Sequence, residues 1–206
     1  MSIDLSRVTG ISDSRGVITE IKDSLGRVIW SSGTKVSSMV LRPSADISVE
    51  HNISPADSAY AYLLINEEVA DGSSTYICSY STSEGIQTSK FKLSGSEQPT
   101  ATPFTVTSVN IIGQVYSTKN TGRNDFYLEI NGESTSVVTT TGGKTDVFDL
   151  PVWDAIGILN DAIATSGVLP NINIVISSYT FDEDPDKIGV EASGVSQVYV
   201  VLGYEA

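Results

Sequence analysis

One cysteine, one histidine and few basic residues are what this 206-residue chain has least of, and each shortage closes off some chemistry. Cys78 has no second thiol to pair with, so no disulfide forms within the chain and the fold must stand on packing or assembly, which suits assembly in a reducing cytosol. With His51 as the only histidine, Cys78 and His51 together cannot supply a closed zinc site. Twelve basic residues against twenty-five acidic ones leave a formal charge of −13. That charge repels phosphate backbones and anionic lipid heads, so neither direct nucleic-acid binding nor membrane insertion is expected. An acidic surface also keeps sheet edges apart in solution and needs no ligand to explain it. No apolar run approaches membrane-spanning length. The opening Met1-Ser2-Ile3-Asp4-Leu5-Ser6-Arg7 lacks the basic-then-apolar signature of a secretory signal, so lysis or another route is the expected exit from the cell.

What is present reads as β-structure. With 40% hydrophobic and 18% charged residues, the chain can bury a real core. Gly16–Lys22 and Arg27–Trp30 alternate polar and apolar around Asp23-Ser24-Leu25-Gly26, which predicts an N-terminal β-hairpin. A lone hairpin is barely stable in water, so Ile21, Val28 and Trp30 are the candidate attachment residues that would pack on a host surface. After the connector Ser31–Thr34, strand signals follow at Val36–Leu41, Ile47–His51, Ala59–Asn66, Thr75–Ser81 and Gln87–Leu93. The breaker-rich 94–100 stretch is a long loop or weak boundary, and strands resume at Phe104–Tyr116, Asp125–Asn131, Ser136–Thr141, Asn171–Tyr179 and Gln197–Tyr204. Only Val152, Ile156, Leu159 and Ile163 recur at helical spacing. They predict one helix near 151–165, with Asp149 as N-cap, Pro151 in the first turn and Gly167 as terminator. Its stripe, with Trp153 beside it, is expected to close the core. The expected fold is an all-β, antiparallel, jelly-roll-like sandwich with one short helix and an N-terminal β-hairpin, divided into residues 1–32 and 33–206.

Catalytic signatures fail one by one. A serine or cysteine hydrolase needs a base beside its nucleophile, and only His51 is available, without a Gly-x-Ser-x-Gly elbow. Asp182-Glu183-Asp184-Pro185-Asp186 invites a calcium reading, but Lys187 and Ser193 stand where an EF-hand needs glycine and glutamate, so a solvated acidic loop is expected. Thr141–Thr145 ends like a phosphate loop, yet Val138 replaces its first glycine, and a hairpin turn explains it better. Paired carboxylates leave no sequence signature, so Asp46, Glu50, Glu67, Glu68, Asp71, Asp125 and Glu129 remain the pool for a glycan depolymerase. An exposed aromatic cluster for binding a glycan would draw on Tyr60, Tyr62, Tyr76, Tyr80, Tyr116 and Tyr127. The expectation is no enzyme, no cofactor and no resident metal.

The run Met39–His51, followed by Leu64-Ile65-Asn66-Glu67 and Asp71–Ile77, resembles a domain of structural proteins in tailed phages and prophages. The closing Ser196–Glu205, with its valine-tyrosine-valine run, resembles that domain's terminal strand. Leu5–Ile11 and Gly26–Trp30 are similar to N-terminal attachment segments of virion proteins. Gly72 and Ser73 stand where the usual aspartate-rich run follows the Asn-Glu pair. The resemblance spans about residues 33–206 and implies a single sandwich in which 94–100 is a crossover. It also implies a virion structural protein, as capsid decoration, head fibre or tail appendage, assembled in the bacterial cytoplasm and displayed through residues 1–32. Other virion proteins, further copies of itself and a host-surface glycan are the expected partners, and a glycan-binding adhesin is the alternative function.

Overall fold

In a computed structural model the described residues are 8–12, 20–23, 28–31, 36–54, 56, 58–68, 74–79, 85–95, 104–117, 122–142, 146–180 and 193–205, with side chains described from 37 on apart from 122, 142 and 180. The chain divides into two compact units, Met1–Val36 and Ser37–Ala206.

The first unit is an antiparallel sheet in the order β1 (Val8–Ser12), β2 (Glu20–Asp23), β3 (Val28–Ser31). The expected hairpin is β2 and β3, in register Ile21↔Trp30 and Lys22↔Val28. The structure adds β1 as a third strand, paired through Ile11↔Ile21. A third strand supplies the hydrogen-bonding partner that a lone hairpin lacks. The side chains of Ile21, Val28 and Trp30 lie outside those described.

The second unit is an all-β antiparallel sandwich. Its strands are β4 (Val36–Ser48), β5 (Asn52–Ser54), β6 (Tyr76–Ser79), β7 (Gly85–Gly95), β8 (Thr105–Ser117), β9 (Gly122–Ile130), β10 (Glu133–Ser134), β11 (Val138–Gly142), β12 (Val147–Pro151), β13 (Ile172–Thr180) and β14 (Ser193–Glu205). One sheet runs β10 and β11 beside β9, then β13, β7 and β4. In the other, β14 pairs β8 along one edge and meets β6 and β4 on the other, with β12 outside β8 and β5 outside β6. Because β4 belongs to both, a single long strand joins the two layers. Its register with β7 covers only Leu41–Ser48 and is broken by irregularities around Pro43/Ala45 and Asp46/Ser48. Such bulges bend a strand, and one of them accommodates a proline that cannot donate to the ladder.

Alternation supplies the core. Phe126, Leu128, Ile130, Ile174, Ile176 and Phe91 point inward from one sheet, and Val109, Ile111, Val115, Val198, Val200 and Leu202 from the other, all buried. Close approach sets two glycines. A Cβ on Gly194 would lie 1.9 Å from the Ile77 carbonyl oxygen, and one on Gly113 would lie 2.0 Å from that of Gln197.

Three sequence expectations are corrected. Ala59–Asn66 is no strand: Ala61–Leu64 forms a single 3-10 turn, because the Asp46 carboxylate accepts hydrogen bonds from the Ala61 and Tyr62 N–H groups at 3.0 and 2.8 Å. Val36–Leu41 and Ile47–His51 are largely one strand, β4, with His51 just beyond it. Asp149 is no N-cap. It lies in β12, a strand the sequence did not announce, opposite Ile112, and Val152 caps α1 (Trp153–Ser166) instead. Gly167 does end the helix, with φ 75° in the left-handed region where glycine carries no Cβ penalty.

Candidate functional site

Among the described residues, those offered by sequence for catalysis are mostly engaged in structural contacts. His51 is 4% exposed, its Nδ1 lies 2.7 Å from Ser89 Oγ while its Nε2 is buried without a partner among the described residues, and burial pushes its pKa down to about 4, so it is neutral and enclosed. Cys78 lies on the neighbouring β6, opposite Asn52, and burial pushes its thiol up to about 11, which disfavours the reactive thiolate. Glu67 accepts from Thr75 Oγ1 at 3.0 Å, Glu50 from the Thr88 N–H at 3.0 Å, and Glu129 pairs with Lys90. Asp125 and Glu129 share a face of β9 but sit four residues apart, about 13 Å along a strand, beyond the separations that glycoside hydrolysis uses. Burial alone would raise Asp125, but hydrogen bonds from Arg123, Tyr179 and Thr139 and the Arg123 charge outweigh it, and its pKa is lowered. With Arg123 also 4.4 Å over the Tyr179 ring, this cluster is internally satisfied and acts as a brace. Among the described residues no group of three or more metal-ligating side chains converges. Asp71, Tyr80, residues 143–145 of the phosphate-like turn and the acidic run 182–186 lie outside the described residues.

The tyrosines pair with neighbours rather than forming one platform. Tyr76 and Tyr116 stack at 3.7 Å, and burial followed by the Tyr76 hydrogen bond pushes Tyr116 up to about 12. Tyr60 and Tyr62 tilt together at 5.7 Å beside the 3-10 turn, and Tyr127 is half-buried on β9 opposite Val175.

Among the described residues the most exposed aromatic side chain is one the sequence assigned beside the core-closing stripe. Val152, Leu159 and Ile163 are indeed buried and Ile156 packs partly against the core, but Trp153 is 75% exposed. Three contacts fix its position. The Val152 N–H donates to the Val109 carbonyl at 2.9 Å, extending the β12–β8 ladder into the helix start. Asp154 accepts from the Ser136 N–H at 2.5 Å, which ties the first helical turn to the segment before β11 and places the exposed Val137 nearby. Asn160, two turns on, accepts from the Val106 N–H at 2.8 Å and donates to the Val106 carbonyl at 3.0 Å. Its amide thus replaces a strand along β8 where β12 has ended. Burial alone would raise Asp154, but its hydrogen bonds from Ser136 and from the first-turn backbone prevail and lower its pKa, and its charge suits the helix start.

One turn beyond Trp153 stands Gly157, where an added Cβ would meet nothing within 4 Å. The helix surface beside the indole is therefore bare. Beyond it a cleft of about 630 Å3 opens along the same flank, lined by Phe104, Thr105, Asn160, Asp161, Ala164 and Gly167 among others. An apolar ring, a bare floor and a largely apolar cleft edged by Thr105 and Asp161 make this flank of α1 the candidate binding site.

No family model matches the sequence, and no curated protein matches it. Among solved structures, one match is the carbohydrate-binding module TmCBM61, determined with β-1,4-galactotriose bound, at 10% identity and a TM-score of 0.37, covering 82% of this chain and 88% of that one. Another is the CBM36-1 domain of a multidomain xylanase from the hindgut metagenome of Trinervitermes trinervoides, at 8% identity and a TM-score of 0.28, covering 82% and 97%. Superpositions this loose locate no site in the present chain.

Proposed function

We propose that this chain is a non-catalytic glycan-recognition module, displayed on a bacteriophage particle. The observation that carries the recognition reading is Trp153, a largely exposed indole on a helix start that the Val152–Val109 and Asp154–Ser136 bonds tie to the sheet, with open helix surface beside it. Leaving an indole in water forgoes a large burial gain, so such a ring is suited to a ligand that covers it. A sugar ring offers an apolar C–H face to stack on the indole and a rim of hydroxyls for the polar groups around it. The non-catalytic reading is supported by the burial of His51 and Cys78 and by the partners that hold Glu50, Glu67 and Glu129. The test is binding to immobilised host-wall polysaccharide. Wild type should be retained, Trp153→Ala should lose at least tenfold in affinity, and Trp153→Phe should lose less; equal retention of all three overturns the reading.

The phage setting is supported by the resemblance of Met39–His51, Leu64–Glu67 and Ser196–Glu205 to phage structural proteins, and by the division of the chain into two compact units after Val36. In this reading the first unit anchors and the sandwich is displayed. Cryo-electron microscopy of purified particles tests it: ordered, repeated copies on head or tail are expected, and absence from intact particles overturns it.

A further inference from the structure

We infer that the flank of α1 from Trp153 to Gly167 is a groove for a linear, uncharged oligosaccharide, with Gly157 kept small so that the sugar chain can run from the indole into the cleft at Asp161. This inference rests on the glycan-recognition reading and specifies its site and ligand class.

Gly157 is the first observation. A glycine inside a helix costs roughly 1 kcal/mol relative to alanine. Close packing would justify that cost, but nothing approaches within 4 Å of where its Cβ would be. Its position one turn after Trp153 gives the missing side chain a purpose, because residues four apart lie one above the other on a helix and any larger side chain would lean back over the indole.

The second observation is continuity. Trp153, Gly157 and Ala164 follow one helical stripe, flanked by Asn160 and Asp161. Eight residues separate Trp153 from Asp161, about 12 Å along the axis, so a ligand stacked on the ring must be extended to reach the cleft. There Thr105 and Asp161 supply a hydroxyl and a carboxylate for sugar hydroxyls, while Phe104 and Ala164 supply apolar wall. Asn160 is already committed to Val106 and serves as floor.

Charge sets the ligand class. The helix carries Asp154 and Asp161 and no lysine or arginine, on a chain of net charge −13. A polyuronate or sulfated glycan would meet like charge along the groove and lose affinity, whereas neutral sugars lose nothing.

The experiment titrates the full chain with uncharged linear hexose oligosaccharides of three to six units and with matching oligouronates, by calorimetry and indole fluorescence. Wild type should bind the neutral series, with affinity rising with length, and the uronates at least tenfold more weakly. Gly157→Gln should raise Tm, by restoring helix propensity, and yet weaken neutral-sugar binding at least tenfold. Asp161→Ala should weaken it severalfold with little change in Tm. Binding that is lost in Trp153→Ala but untouched by Gly157→Gln overturns the groove and leaves glycan recognition standing. Equal affinity for uronates overturns the ligand class. No saccharide binding at all removes both the groove and the reading beneath it.

Discussion

His51 is a base buried in its neutral form, and that has a measurable cost in acid. Unfolded, it takes up a proton near its ordinary value of 6.5; folded, burial delays protonation to about 4. Below pH 6.5 the unfolded state therefore binds more protons than the native state, so stability is full above that pH and falls as the pH drops toward 4. A shift of this size corresponds to on the order of 3 kcal/mol. Urea unfolding between pH 7.5 and 4.5 should show the decline, and His51→Gln should flatten it. Asp125, whose pKa is lowered by its three partners, adds a loss of the same sign only at more acidic pH, below its ordinary range. The same scale marks what the sequence could tell about the site. That His51 lacks a nucleophile elbow was readable from the sequence, whereas the placing of the acidic residues was not, because paired carboxylates leave no signature. The exposure of Trp153 was not, because an indole beside an amphipathic stripe is usually covered, and only the tie of Val152 to Val109 and of Asp154 to Ser136 turns it outward. Gly157 carries no signal in the helical pattern; its significance needs the empty space above it.

Elements were legible where the pattern is local and misread where a distant group decides. The long alternating runs of β8, β9, β13 and β14 and the helix at 153–166 follow from periodicity. The 3-10 turn at Ala61–Leu64 depends on Asp46, fifteen residues upstream, whose carboxylate competes for the N–H groups a strand would have used. At β12, Asp149 and Pro151 mimic a helix start, yet Asp149 instead accepts from the Asn110 amide across the ladder, and Pro151 is tolerated because β12 is an edge strand. The edge of β8 beyond β12 gives a prediction at this scale. Asn160→Leu removes both hydrogen bonds to Val106 and leaves a buried N–H and C=O unpaired, which should cost about 2 kcal/mol in urea unfolding. Asn160→Asp keeps an acceptor for the N–H, loses the donor, and should fall between. Equal stability of all three chains would mean that the edge is solvated and the amide is incidental. Gly194→Ala belongs here too: its Cβ would strike the Ile77 carbonyl, and forcing β6 and β14 apart should cost about 3 kcal/mol.

At the scale of the whole molecule, the chain divides into two compact units after Val36, and in the proposed reading the first anchors while the second recognises. The sandwich has a continuous buried core of its own, running from Met39 to Leu202. The N-terminal sheet is three short strands, near the smallest size at which a sheet stands on its own. Deleting residues 1–36 should therefore leave the thermal midpoint of the sandwich within a few degrees of the full chain and leave binding at the α1 flank intact, while abolishing incorporation into particles. The measurements are scanning calorimetry, saccharide titration and immunoblotting of purified particles from a complemented deletion strain. Retained incorporation would place the attachment surface on the sandwich itself. A collapse of the midpoint would show that the two sheets fold as one cooperative unit, and the separation of anchoring from recognition would then fail on energetic grounds even if both activities were real.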